Sequence, residues 1–132
     1  MLKTWLLKAW SPWLLSVLRI VTAFLYLLHG TQKLFGVPHS ARGAVALAPR
    51  LEAAGVIEVV GGLLILLGLF TRLVAFISSG EMAVAYFSSH APRGLLPIQN
   101  GGELPVLFCF IFLYLAAAGG GPWSLDARRR AA

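Results

Sequence analysis

The sequence predicts an all-α, polytopic membrane protein: four antiparallel transmembrane helices in a compact bundle. Three observations predict it. Of 132 residues, 58% are hydrophobic and only 12% charged, and the mean hydropathy is +0.81, whereas a soluble domain carries about 25% charged residues. Four apolar stretches, at about 12–35, 51–70, 72–90 and 103–119, account for most of the length. Each is near the roughly 20 residues that a helix needs to cross a bilayer.

The elements have local causes. The first helix opens at Pro12, and Gly36 and Pro38 end it. A 37–50 outer loop follows, in which Ser40 is placed to cap a short surface helix through Leu47. The second and third stretches are joined by a tight turn at Thr71-Arg72. Pro92, Pro97 and Asn100-Gly101-Gly102 interrupt the chain before the fourth, which stops at Gly119-Gly120-Gly121-Pro122. The remaining residues form two tails, so residues 1–132 make a single transmembrane domain. No secretory cleavage site follows the first stretch, and Arg19 is foreign to a signal-peptide core, so that helix is expected to be retained.

The net charge of +6 reads as topology signal, not as a nucleic-acid footprint, because the basic residues flank apolar spans. With four crossings, Lys3, Lys8, Arg72 and Arg128-Arg129-Arg130 fall on one side; Lys33, Arg42, Arg50 and Arg93 fall on the other. The bias puts both termini in the cytoplasm, in a plasma (inner) membrane. Trp5, Trp10, Trp13 and Trp123 then form an aromatic belt at the cytoplasmic interface.

Arg19, Thr22, Tyr26, His29 and Lys33 recur at intervals of three and four, which places them on one face of the first helix. In the second helix Ala54, Glu58 and Gly62 form a row beside Gly55 and Gly61, where small residues admit another backbone. Ser78, Glu81, Ala85 and Ser88 or Ser89 share a face of the third. With each stretch centred on the bilayer, Arg19, Glu58 and Glu81 lie near the midplane, at about 1.5 Å rise per residue. A buried arginine is costly there unless paired, so Arg19 is expected to pair with Glu58, Glu81 or both. His29, Lys33, His90, Asn100 and Glu103 lie near the outer boundary. Tyr26, His29, Lys33, Glu58, His90 and Glu103 are the candidate lining of a polar, outward-opening pocket.

These residues resemble a family. His29-Gly30 with Lys33-Leu34-Phe35-Gly36, Glu58 followed by Gly61-Gly62, Gly68-Leu69-Phe70-Thr71-Arg72, Gly101-Gly102-Glu103 and Ser124-Leu125-Asp126 resemble the DoxX family signature in order. The resemblance implies a compact four-helix membrane protein linked to membrane oxidoreductase systems, including quinone-linked ones. Glu81 lies outside that signature and is chosen on depth alone.

The chain brings little redox chemistry of its own. Cys109 is the single cysteine, which excludes an intramolecular dithiol, and there is no dinucleotide or phosphate-binding motif. Electron transfer therefore needs a bound cofactor or a partner redox protein. A quinone is the favoured cofactor, since its carbonyl oxygens accept hydrogen bonds from His, Tyr or Lys; a b-type haem held by His29 and His90 rests on two lone histidines. No metal site is expected. The reading is an integral membrane subunit of a redox system, working with a partner protein or as a homo-oligomer. The alternative is a non-enzymatic scaffold, assembly or cargo-handling subunit whose polar core only specifies helix packing.

Overall fold

A computed structural model describes residues 4–39 and 49–132, and the short surface helix expected over Ser40–Leu47 lies outside them. The described residues are helical, with no strand among them. Helix α1 spans Thr4–Phe35, α2 Pro49–Leu67 and α3 Thr71–Ala85; a short α4 covers Pro97–Asn100, α5 runs Glu103–Ala118 and α6 Leu125–Ala131.

The first helix does not begin at Pro12. It starts at Thr4 and carries Pro12 inside. Proline removes one backbone bond, yet Leu6, Leu7, Lys8 and Ala9 are good helix formers that continue the helix before it. At 32 residues α1 is long and apolar enough to cross a membrane. Helix α5 is a shorter apolar helix of 16 residues, and α2 carries Arg50, Glu52 and Glu58. Beyond Ala85 the chain stays helical in a wider π-type turn, Tyr86–His90, and a 3-10 turn, Ala91–Arg93.

Helix ends follow glycine. Gly68, at φ 69, ends α2, with its N–H donating to the carbonyl of Ile65 at 3.0 Å. Two residues on, Phe70 takes a left-handed φ of 51, a conformation costly for a bulky side chain. Asp126 holds it there: its two oxygens accept from the amides of Phe70 (2.9 Å) and Thr71 (2.8 Å). The first turn of α3 is thus capped by a residue on α6. The C-terminal tail is in fact this packed helix, itself capped by Ser124, whose hydroxyl accepts from the Ala127 amide at 3.1 Å.

Helix α1 packs along α2, α3 packs along α5, and α2 against α3 joins the two pairs. Glycines set the first contact. A Cβ on Gly30 would stand 2.8 Å from Glu58 Cβ and from the Val59 amide nitrogen, and one on Gly62 would meet the Leu27 backbone at 3.1 Å. The core holds Ala23, Tyr26, Ile65, Ala75, Met82, Phe108, Phe112 and Leu115, with Tyr26 edge-on to Phe112 at 4.7 Å. Outside it the pattern inverts. Leu14, Val21, Phe24, Val60, Leu73, Phe76 and Phe110 are all exposed, an apolar exterior suited to lipid.

Candidate functional site

Two cations on one face of α1, Arg19 fully buried and Lys33 partly so, organise the polar interior. The lower one is Arg19, 0% exposed. It does not pair with Glu58 or Glu81. Its Nε donates to the carbonyl of Gly120 at 2.8 Å and its Nη1 to that of Ile65 at 2.7 Å. Nη1 also reaches the Leu66 carbonyl, and Nη2 the Trp123 carbonyl. The last carbonyls of a helix lack intrahelical partners and carry its negative end. A planar five-donor fork is well shaped to collect them. Arg19 therefore ties the end of α2 to the 120–123 segment, and Trp123 closes the contact by packing on Trp13 at 5.3 Å.

Register explains the failed pairing. Gly30 packs on Glu58, eleven positions along α1 from Arg19 (30 − 19), or about 16 Å of axial rise. Tyr26, the partner of Glu81, stands seven positions along (26 − 19), or about 10 Å. Centring every apolar stretch on one plane put the three charges together. The helices instead start and stop at different heights.

The upper cation is Lys33. Its Nζ forms an ion pair with Glu58 Oε1, between side chains 29% and 1% exposed. Glu58 Oε2 is buried with no partner among the described residues, as is Ser78 Oγ. The Tyr26 hydroxyl donates to Glu81 Oε2 at 3.1 Å. Gly61 joins these groups, since a Cβ there would lie 3.1 Å from Ser78 Oγ and 3.8 Å from the Tyr26 ring. The result is a cluster of two carboxyls, an ammonium, a phenol and a serine contributed by α1, α2 and α3. His29, half-buried one turn below Lys33, turns its ring edge-on to Phe108 at 5.9 Å.

The remaining expected pocket residues stand elsewhere. His90 stacks on Tyr86, with Nδ1 3.2 Å from both the Asn100 carbonyl and Arg93 Nη2. It belongs to the loop around Asn100, whose side chain bonds the Tyr86 hydroxyl, the Gly94 carbonyl and the Gly102 amide. Glu103 is exposed in the first turn of α5 and makes no ion pair among the described residues. Among the described residues no hydrogen bond or ion pair joins His90 or Glu103 to His29, Lys33 or Glu58. No group of metal-ligand residues occurs among the described residues.

The DoxX family profile matches residues 14–91, more than half of the chain. The chain belongs to the DoxX family. It is accordingly a membrane-associated protein, and the match covers Arg19, Tyr26, Lys33, Glu58 and Glu81 but neither α5 nor α6. An uncharacterized protein of Haemophilus influenzae is 49% identical over 125 residues, covering 91% of this chain and 93% of the relative. A second uncharacterized protein of the same organism is 33% identical over 69 residues, 52% of this chain and 46% of its own. No solved structure matches. The turn Gly68–Arg72 and the segment Ser124–Asp126, far apart in the sequence, meet where Asp126 caps α3 and its amide donates to the Gly68 carbonyl at 2.9 Å.

Two residues that the sequence marks as topology charge or family signature hold this end together. Arg72 donates from Nη1 to the carbonyl of Ala116 at 3.3 Å and to that of Ala117, closing the end of α5. Burial alone would raise the Asp126 carboxyl, but hydrogen bonds from Thr71 and Phe70, with the Arg130 charge, hold it below the ordinary aspartate range. The signature includes both Arg72 and Asp126, but nothing in the spacing points to the contacts they make.

Proposed function

We propose that this DoxX family chain is a four-pass integral membrane subunit of a redox system, with both termini cytoplasmic, and that its upper polar cluster exchanges protons for that system. The observation that carries the reading is Glu58. It is 1% exposed, with one oxygen on Lys33 and the other without a partner. A buried carboxyl half satisfied in this way is expensive to keep for packing alone. Groups that gain and lose protons need such a position, next to a cation that balances charge and reaches water. Lys33, at 29% exposure, supplies that contact, and Tyr26 extends the chain of oxygens to Glu81.

The apolar exterior supports four crossings: α2, α3 and α5 present lipid-compatible faces although each is shorter than α1. The quinone implied by the resemblance fits these residues poorly. Tyr26 and Glu58 are fully buried, Tyr26 and Lys33 already donate to carboxylates, and neither the cavity beside Arg72 and Asp126 nor the one between Leu14 and Tyr114 is lined by any of them. Electron transfer is accordingly assigned to a partner subunit.

One observation favours the scaffold reading instead: Arg19, Lys33 and Tyr26 all find their partners within the chain. Electron flow through the native partner, measured in membranes carrying Glu58→Gln or Lys33→Met, separates the two. Proton exchange predicts at least a tenfold loss with folded protein retained, a modest share of the roughly 10²–10⁴ that a positioned acid–base group contributes. Normal flow with intact folding leaves packing as the role of the cluster.

A further inference from the structure

The end of the molecule opposite Lys33 has a cavity of about 460 Å³, lined by Phe70, Thr71, Arg72, Leu73, Gly119, Gly120, Asp126, Arg129 and Arg130. That volume is in the range of small-molecule sites. Its charge is unbalanced, since three guanidiniums face one carboxylate. Asp126 is committed to the amides of Phe70 and Thr71. Arg72 spends Nη1 on the end of α5 and has Nε and Nη2 free of hydrogen bonds to described residues. Arg129 rests over the Phe70 ring at 5.2 Å, and both Arg129 and Arg130 are exposed. Thr71, fully buried in the wall, contributes a hydroxyl with no hydrogen-bond partner among the described residues.

We infer that this cavity binds the phosphate of an anionic phospholipid headgroup. Guanidinium is the group best matched to phosphate oxygens, through paired, charge-assisted hydrogen bonds. The surroundings choose lipid over a free anion. Phe70 and Leu73 form an apolar rim, and Phe76 and Ile77 continue it outward along α3, all at least half exposed. A headgroup among the arginines therefore has apolar surface beside it for its acyl chain. Arg129 and Arg130 belong to the C-terminal basic cluster, and such clusters at a membrane surface attract anionic lipid by about 1 kcal/mol per residue. The site is remote from Lys33 and Glu58, so its failure leaves the proton-exchange reading untouched.

Native mass spectrometry of the full chain, delipidated in detergent, tests the site with three probes: phosphatidylglycerol, phosphatidylcholine and inorganic phosphate. Phosphatidylglycerol is expected to bind as one tight adduct, weakened by salt, with phosphatidylcholine at least tenfold weaker. The double variant Arg129→Gln/Arg130→Gln, which leaves the Arg72 contacts in place, is expected to lose about 25-fold in phosphatidylglycerol affinity, roughly fivefold per arginine. Thr71→Val should weaken binding severalfold while its helicity matches the parent. Equal binding of the two lipids overturns the inference, as does unchanged affinity in the folded double variant. Inorganic phosphate binding as tightly as phosphatidylglycerol also overturns it, showing a free-anion site.

Discussion

Arg19 and Lys33 lie on the same face of α1, and each must be answered within an apolar interior, yet they are answered in different currencies. Arg19 is surrounded by four backbone carbonyls, from Ile65, Leu66, Gly120 and Trp123. Lys33 meets one carboxylate, Glu58, beside a phenol and a second carboxyl. Carbonyls do not titrate and arginine does not lose its proton in proteins, so the lower site is fixed in charge. Every member of the upper site except Ser78 can change protonation. One helix thus carries a permanent clasp at its middle and a protonatable cluster near its C-terminal end, and under the proposed function the first is structural and the second functional.

The largest effect should come from breaking the clasp. Arg19→Leu leaves the Leu66, Gly120 and Trp123 carbonyls without this partner, while Ile65 keeps the Gly68 amide; at about 1–3 kcal/mol each the total is on the order of 5 kcal/mol. Extractable folded protein should nearly vanish, and Arg19→Lys should recover little because an ammonium cannot fork to four carbonyls. Neutralising Glu58 or Glu81 as well should bring no rescue. Recovery of folded protein in either double variant would restore the carboxylate pairing that the sequence suggested.

The upper site should behave in the opposite way. Lys33→Met leaves Glu58 buried beside no cation, a loss of about 3 kcal/mol in thermal or denaturant unfolding. Adding Glu58→Gln should return a sizeable part of it. A double-mutant cycle therefore gives strong coupling for Lys33 with Glu58 and close to none for Arg19 with Glu58. Equal coupling in the two cycles would erase the distinction between the two sites.

Gly30 sharpens the comparison from the packing side. Its Cα carries the α1 backbone onto Glu58 and Val59, where an added Cβ would meet side chain and backbone at 2.8 Å. Gly30→Ala should cost about 1–3 kcal/mol as an overpacked contact and displace Glu58 from Lys33. The same change at Gly80, where a Cβ meets nothing within 4 Å, should be neutral or slightly stabilising. Matching stabilities for the two variants would remove the steric account of the α1–α2 contact.

The smallest effect lies at Asp126. Its carboxyl is held below the ordinary aspartate value near 3.9, so it stabilises the fold above about pH 4 and loses that contribution as pH falls through its lower folded-state value. The parent should show an extra acid-side loss of stability that Asp126→Asn lacks. Identical acid profiles for the two would mean that the cap on α3 contributes little through charge.

Periodicity alone placed the face of α1: Arg19, Thr22 and Tyr26 are buried at helical spacing, and the small residues Gly55, Gly61 and Gly62 are where α2 meets its neighbours. Partners were a different matter. Intervals of three and four residues report direction around a helix but not height against another helix, so Arg19 was matched to carboxyls that stand a turn or more above it. Backbone carbonyls have no sequence identity, so the actual partners of Arg19 and Arg72 left no trace in residue type. Asp126, a cap from one helix onto another across 55 residues, is visible only through its signature. Depth along the chain selects His90 and Glu103, but the loop around Asn100 that holds His90 is built on contacts that spacing does not encode.

The claim that the upper cluster is protonatable while the lower clasp is fixed is most directly tested by infrared spectroscopy of the folded protein in membranes across a pH titration. The account predicts a carboxyl C=O absorption that changes with pH, shifts on transfer to heavy water, and is altered by Glu58→Gln and by Glu81→Gln. A carboxyl region that is invariant with pH, or that titrates unchanged in both variants, would contradict it.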